Sequence, residues 1–320
     1  MKFSVLGPGR WGTFIAWYLN KEKHDVILWG RPGGEKITEL METKHNEYVT
    51  ISDEIKLSTD LEYAINSSDY IIISIGSQGL RGLMEKITTI EGHQDKKFIL
   101  CMKGIEIKTG VRLSTILIGN GIDKDNIAVW VGPGHIQAFV SGVPSVMIID
   151  AYNKELSEYL VKNLRSDLIR FYQGDDIIGT EIGAAAKNVM GIAAGLLDGM
   201  GYSTLKGGLM ARGTREISRL IQACGGKEMS AYGLCHLGDY EATLFSDYSH
   251  NRKWGEMFAQ DKPFDKLAEG VDTSSALLTL AESINVELPI TKIVNDVINN
   301  RITKKEAIKE LFKRDNIKEF

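Results

Sequence analysis

Up to about Gly174 the chain alternates short apolar runs rich in Val and Ile with longer polar stretches of helical spacing. The runs at 2–6, 26–29, 70–75, 98–102, 127–131, 146–149 and 168–171 read as strands, with a weaker one at 55–57. Their apolar character is continuous rather than alternating, so both faces of the sheet are expected to be covered, as in a parallel sheet with crossover helices. Beyond Gly174 the β-branched runs stop, and helical periodicity takes over through 180–197, 206–224, 273–283, 290–299 and 304–313. The pattern predicts an α/β fold in two parts: a mostly parallel sheet over 1–176, then an all-helical domain over 177–320. There is no internal repeat or low-complexity tract, and only 6 prolines. The two parts are therefore expected to pack directly, with a cleft between them.

Composition narrows the function. With 320 residues, 43% hydrophobic and 25% charged, the chain can bury two substantial cores, which excludes disorder. Lys and Arg number 38 against 42 Asp and Glu, a net charge of −4 that gives nucleic acid or anionic lipid little to bind. Cys101, Cys224 and Cys235 form no C-x-x-C pair, and His135, His236 and His250 are scattered, so neither a disulfide frame nor a metal site is expected. The opening apolar run ends at Gly7, too short for a signal peptide, and longer apolar tracts are broken by Lys, Asn or Asp. A cytoplasmic chain without a membrane span is the expectation.

The chemistry begins at Gly7-Pro8-Gly9-Arg10-Trp11-Gly12, which follows the first strand and opens a helix-like run over 13–19. A bare G-x-G-x-x-G is often an ordinary turn, but in this context it reads as the diphosphate loop of a Rossmann-type domain. Gly7 makes the tight turn, Gly9 admits the diphosphate, and Gly12 lets the helix pack on the strand. The second strand is followed by Gly30-Arg31, without the carboxylate that grips the ribose of NAD. Arg31 suits the 2′-phosphate of NADP, which is placed ahead of NAD, with dual use open. Residues just past the strands, namely 74–78, Lys103-Gly104 and Gly132-Pro133-Gly134-His135, are expected to line one crevice. Lys103 leaves the most apolar strand, so it is expected to face the cofactor.

Lys187 lies in a helical stretch of small residues, with Gly183, Ala184, Met190, Gly191 and Ala194 around it and no carboxylate within a turn. Gly183, Gly191 and Gly195 each cost up to about 1 kcal/mol relative to Ala inside a helix, which implies that a backbone or a cofactor packs closely there. A lysine so placed is either a partly desolvated general acid–base or a snorkelling core lysine. Arg212, Arg215 and Arg219, with Glu216 among them, read as a salt-bridged solvated face. Asp239 and the segment 246–252 fall in turn-like sequence, where functional groups concentrate.

Taken together, the glycine loop with Leu28-Trp29-Gly30, Lys103-Gly104-Ile105-Glu106, 183–198 around Lys187-Asn188, Arg212-Gly213, Gly238-Asp239 with Thr243, Asn251-Arg252 and Glu269-Gly270 resemble the soluble NAD(P)-dependent glycerol-3-phosphate dehydrogenases over essentially the whole chain. That resemblance implies reduction of dihydroxyacetone phosphate to sn-glycerol 3-phosphate for phospholipid synthesis. It implies Lys187 as general acid–base assisted by Lys103 and Asp239, with Gly132, Asn188 and Thr243 at the substrate and His250, Asn251 and Arg252 at its phosphate. On the cofactor side it implies Gly7, Gly9, Arg10, Trp11, Gly12, Arg31, Ser77, Lys103, Ile136 and Glu269. The implied partner is a small phosphate substrate, and a homodimer is left open. Two positions depart from the family pattern. Gly134-His135-Ile136-Gln137-Ala138 replaces a Ser/Thr-aromatic-Ala-Lys-Glu run, and His250 stands where the family has Arg. These departures leave two rivals: a reductase of another small carbonyl compound, and a dinucleotide sensor without turnover.

Overall fold

The computed structural model describes residues 1–312, so the expectations for 313–320, including the last residue of the 304–313 helix, lie outside the described residues. In chain order the first part holds β1 (Lys2–Leu6), α1 (Arg10–Lys21), β2 (Asp25–Trp29), α2 (Glu35–Thr43), β3 (Lys56–Ser58), α3 (Leu61–Asn66), β4 (Tyr70–Ile73) and α4 (Leu80–Ile87). There follow β5 (Lys97–Leu100), α5 (Leu113–Gly119), β6 (Ile127–Val131), α6 (Ile136–Val140), β7 (Ser145–Ala151), α7 (Lys154–Leu164) and β8 (Ile169–Gln173). One sheet carries all eight strands in the order β3-β2-β1-β4-β5-β6-β7-β8. The chain reverses its direction of travel between β1 and β4, so their carboxyl ends form the switch point where α/β sheets bind ligands.

The strand runs are found within a residue or two. β4 stops at Ile73 and β5 at Leu100, short of the expected 75 and 102, because the chain turns out of the ladder once Ser74 N has bonded Leu6 O and Cys101 N has bonded Ile73 O. Ile55 is a core residue just ahead of β3 rather than part of it. Two features refine the parallel picture. β7 runs antiparallel to β6, with Val131 opposite Ile148, while β8 is again parallel to β7. At the sheet edge β8 alternates, burying Ile169 and Phe171 and exposing Arg170 and Tyr172, so one of its faces meets water. Under the sheet the core is aromatic: Phe14 of α1 stacks on Phe139 at 5.0 Å, and Tyr18 meets Trp130 edge-on at 6.0 Å.

The second part is helical: α8 (Ile177–Gly199), α9 (Lys206–Ala223), α10 (His250–Ala259), α11 (Glu269–Ser283), α12 (Pro289–Ile298) and α13 (Lys304–Phe312), with one turn of π-helix at Glu241–Phe245. No helix among the described residues is long and apolar enough to cross a membrane. The compact units are Met1–Lys103 with Arg112–Glu181, and Gly104–Val111 with the chain from Ile182 onward. The sequence pattern puts the division at 176/177 and has no signal for the excursion of 104–111. That segment joins the helical unit because Gly110, at φ +69°, brings its backbone onto α11, where a Cβ would stand 2.7 Å from Leu280 N. The buried Asp150 carboxylate accepts from Asp176 N at 3.1 Å and Thr180 Oγ1 at 2.8 Å, anchoring the start of α8.

Glu216 corrects the reading of 212–219 as a solvated face. It is buried, and its carboxylate accepts from Ile290 N at 2.6 Å, Thr291 N at 3.0 Å and Thr291 Oγ1 at 2.8 Å, capping α12 behind Pro289. Burial nonetheless pushes its carboxyl up.

Within the helical unit one contact sets the spacing of the rest. Gly191, Gly195 and Gly199 recur every fourth residue and so share one face of α8. A Cβ on Gly195 would fall on Arg252 O, one on Gly199 would lie 2.5 Å from Glu256 O, and one on Gly255 of α10 would fall on Ile192 O. At the head of α11, a Cβ on Gly270 would lie 2.5 Å from Asn188 O. At Gly195, Gly199, Gly255 and Gly270 the packing is therefore against backbone, with α10 and the first turn of α11 laid directly on α8, whereas Gly183 and Gly191 face the side chains of Cys235, His236, Thr243 and Asn251.

Candidate active site

In the sheet unit, Gly7 sits at φ +117° with no room for a Cβ against Ser74 O, and Gly12 has none against Gly7 O. The tight turn and the close helix–strand packing expected of these two glycines are both present. Gly9, by contrast, has no atom within 4 Å of its Cβ position. It is also the N-cap of α1, which has no side-chain cap and no acidic residue in its first turn among the described residues. First-turn amides facing open ground suit an anionic diphosphate, so the residues present fit a dinucleotide.

Lys103 Nζ donates to Gly132 O at 2.8 Å and lies 5.6 Å over the Trp11 ring, bringing three expected site residues together. Trp11 is itself held edge-on by Phe14 and Phe139, and the Arg10 guanidinium rests over Tyr48 at 4.9 Å. Ser77 opens a 3-10 turn after β4. Ile136, the first residue of α6, is buried in the unit's core. Arg31 is exposed past the end of β2. The missing carboxylate has a steric reason at position 30, where a Cβ would stand 2.6 Å from Ile37 Cβ and 2.9 Å from Pro8 Cγ.

In the helical unit the lysine has company. Lys187 is 7% exposed, and its Nζ lies 2.5 Å from Asp239 Oδ2 and donates to Thr243 Oγ1 at 3.0 Å. Thr243 Oγ1 also reaches Asp239 Oδ1 at 3.4 Å. The desolvation expected of a solitary lysine is thus opposed by a buried carboxylate, which favours the charged ammonium. Asp239 stands in a 3-10 turn, Leu237–Asp239, and the π-turn that follows carries Thr243 back towards it.

Next along α8, Asn188 Oδ1 accepts from Asn251 Nδ2 at 3.0 Å, and Asn251 Oδ1 accepts from Gly270 N at 2.9 Å, beside Glu269 at the head of α11. Asn251 therefore ties three helices. Arg252 is 7% exposed and donates to Asp198 Oδ2 at 2.9 Å, to Ser246 O at 3.1 Å and to Asp247. Lys206 Nζ is 2.9 Å from Asp198 Oδ1. Burial raises the Asp198 carboxyl, but Ser203, Lys206 and Arg252 outweigh it and hold the group below its usual range. The His250 ring packs edge-on against Phe264 at 6.2 Å.

Residues 250–252, turn-like in sequence, form the first turn of α10. Ser249 Oγ accepts from Arg252 N at 3.3 Å and caps that helix, and the Ser, Asp and Tyr residues ahead of it hide the helix start in the sequence. Asp198 closes the family-like stretch 183–198, which gives it no role. It lies eleven residues beyond Lys187, about three turns along the same face of α8, so helical spacing alone points to it. His236, scattered from the other histidines in sequence, is fully buried: its Nδ1–H donates to Gly183 O at 2.9 Å, and its Nε2 accepts from the Tyr240 hydroxyl at 2.7 Å.

Models of the N-terminus and the C-terminus of NAD-dependent glycerol-3-phosphate dehydrogenase match residues 2–157 and 176–309. The chain belongs to the glycerol-3-phosphate dehydrogenase family. Glycerol-3-phosphate dehydrogenase [NAD(P)+] of Fusobacterium nucleatum is 33% identical, the match covering 98% of this chain and 97% of that protein. The enzyme of the same name from a Thermoanaerobacter species is 32% identical over 98% of each. Among solved structures, glycerol-3-phosphate dehydrogenase from Coxiella burnetii superposes with a TM-score of 0.90 at 24% identity, over 98% of this chain and 99% of that one. D-mandelate dehydrogenase bound to NADH shares the fold at a TM-score of 0.67 and 12% identity, covering 96% of this chain and 99% of its own. Family membership makes this chain an oxidoreductase that uses NAD or NADP and acts on a CH–OH group.

His236 gives a pH signature. Burial pulls its pKa down to about 4, with the Gly183 carbonyl opposing, Lys187 reinforcing and Asp239 opposing. The unfolded chain's histidine titrates near ~6.5, so between there and about 4 the unfolded state binds a proton that the folded state refuses. This residue's share of stability is complete above ~6.5 and falls as pH drops, by up to about 1.4 kcal/mol per unit. NMR should show the His236 ring neutral at pH 5 in the folded protein. A ring that titrates near 6.5 would contradict the buried, doubly bonded placement.

Proposed function

We propose that this chain transfers a hydride between NAD(P)H and C2 of dihydroxyacetone phosphate, giving sn-glycerol 3-phosphate for phospholipid synthesis, with Lys187 as the proton donor. Bound nicotinamide supplies or accepts the hydride at its C4. The observation that carries the reading is the buried Lys187–Asp239–Thr243 cluster on a face of α8 cleared of other side chains. Lys187 Nζ gives its proton to the substrate's C2 oxygen as charge develops there, and Asp239 and Thr243 hold the ammonium charged and aimed. Lys103, tethered to Gly132 O in the sheet unit, is assigned the assisting role.

The sheet unit serves as the dinucleotide domain, taken as 1–176, and the helical unit, 177–320, holds the substrate. Gly7, Gly9, Arg10, Trp11, Gly12, Arg31, Ser77, Ile136 and Glu269 are assigned to the cofactor. Asn188, Asn251, Arg252 and His250 are assigned to the substrate and its phosphate. A permanently charged guanidinium suits a phosphate dianion, and Arg252 is already oriented by Asp198 and Ser246 O. The exposed Arg31, beside a Gly30 that cannot carry a carboxylate, supports NADP ahead of NAD. A cytoplasmic location is part of the proposal, supported by three cysteines that form no disulfide; a homodimer is the assembly to test by sedimentation.

Following NADPH and NADH absorbance with dihydroxyacetone phosphate tests the reaction; another small carbonyl compound reacting in its place would overturn the substrate. Lys187→Ala strands the buried Asp239 carboxylate and should cost about 3–5 kcal/mol of stability, while the folded protein keeps its cofactor binding and loses turnover about 10²- to 10⁴-fold. Near-normal turnover would make Lys187 a packing residue. Arg31→Ala should weaken NADPH much more than NADH, since it removes the guanidinium available to a 2′-phosphate. Equal loss for both cofactors, read from their Michaelis constants, would remove Arg31 from the choice.

A further inference from the structure

His236 and Tyr240 flank Asp239, are completely buried, and are given no part by the proton transfer just described. The imidazole is bonded at both nitrogens. A carbonyl oxygen can only accept, so the 2.9 Å bond to Gly183 O places the proton on Nδ1, and Nε2 must then accept from the Tyr240 O–H at 2.7 Å. The two rings meet edge-on at 4.8 Å. Gly183 is one turn before Lys187 on α8, and in an α-helix its carbonyl is also the acceptor of the Lys187 amide. The bond from His236 therefore lands on the turn that carries the lysine. The approach is close because Gly183 has no side chain: a Cβ there would stand 2.9 Å from Cys235 Sγ and 3.1 Å from His236 Cβ. On the other side of the 3-10 turn, Asp239 N bonds His236 O at 3.0 Å, so the peptide carrying Asp239 is tied to the same histidine.

We propose that His236 and Tyr240 are positioning residues for Lys187: a neutral imidazole bridges the Tyr240 hydroxyl and the Gly183 carbonyl, and so holds the Asp239 carboxylate against the lysine. The proposal rests on the reading of Lys187 as proton donor. The charged and titratable groups around the imidazole are consistent with it. Lys187 faces it as a cation, Asp239 as its counter-charge, and Tyr240, influenced by Glu216, as a hydroxyl donor. A protonated His236 would place a second cation beside Lys187 and turn its Nε2 from acceptor to donor, so the bridge works only with the neutral ring.

The test is steady-state kinetics of the full-length protein across pH with dihydroxyacetone phosphate and NADPH, for wild type, Tyr240→Phe, His236→Asn, His236→Ala and Lys187→Ala. Tyr240→Phe keeps the ring and removes the donor. His236→Asn keeps a short N–H for Gly183 O and serves as the conservative rescue of His236→Ala. Loosening the bridge misplaces Asp239, so kcat of Tyr240→Phe should fall about 10- to 100-fold with substrate and cofactor Michaelis constants within about twofold. The alkaline limb of its kcat profile should move to lower pH, because a lysine less well paired gives up its proton more readily. His236→Asn should retain more turnover than His236→Ala. Wild-type kcat and limb in both Tyr240→Phe and His236→Asn, with Lys187→Ala inactive, would overturn this proposal alone. Full turnover in Lys187→Ala would overturn the proton-donor reading and this proposal with it.

Discussion

Removing side chains from one face of α8 is the constraint on which the helical unit depends. Each Gly→Ala difference costs a helix up to about 1 kcal/mol of intrinsic stability, and α8 accepts that cost at Gly191, Gly195 and Gly199. In return α10 lies backbone to backbone along it, with Gly255 clearing the way from the other side and Gly270 doing the same at the head of α11. At that separation short polar side chains span between helices. Asn251 reaches Asn188 and Gly270 N at once, and Arg252 reaches Asp198. A seam held apart by ordinary side chains would put these groups out of hydrogen-bonding range, and the lysine's neighbours would be water or apolar carbon.

Electrostatics follow from that geometry. Buried charges are costly unless paired, and the charges here are paired across elements: Lys187 with Asp239, and Arg252 and Lys206 both with Asp198. Breaking such a pair from one side leaves the other charge stranded, so these residues are held in place by mutual dependence as much as by packing. In the second cluster Arg252 and Lys206 share the half-buried Asp198, and Arg252 also meets the exposed Asp247 and, at 3.6 Å, Glu256, so its cations are offset by carboxylates.

Local chemistry was legible in the sequence, and long-range pairing was not. The turn at Gly7, the packing at Gly12 and the tight approach implied by Gly191 and Gly195 could be read because a glycine's steric role is written in its own neighbourhood. The partner of Lys187 could not, since Asp239 lies on a separate turn and no periodicity links them. Gly30 showed that a carboxylate was missing; only the structure showed that Ile37 and Pro8 forbid it. The start of α10 was hidden by turn-forming residues that act as its cap, and Glu216 was lost in an arginine-rich stripe although it points inward to α12. The antiparallel entry of β7 and the docking of 104–111 are properties of topology, which apolar runs do not encode.

The seam's control of the catalytic cluster is tested most directly at Gly191. A Cβ there would meet Thr243 Cγ2 at 2.9 Å, which a turn about χ1 can move, and Asn251 Cβ at 3.1 Å, which must give by a few tenths of an ångström, whereas at Gly195 it would fall on main chain. Gly191→Ala should therefore fold, losing about 1–3 kcal/mol at most in urea denaturation, while its displaced Thr243 and Asn251 lower kcat by about 10²-fold. A folded Gly191→Ala protein with wild-type kcat would contradict the account.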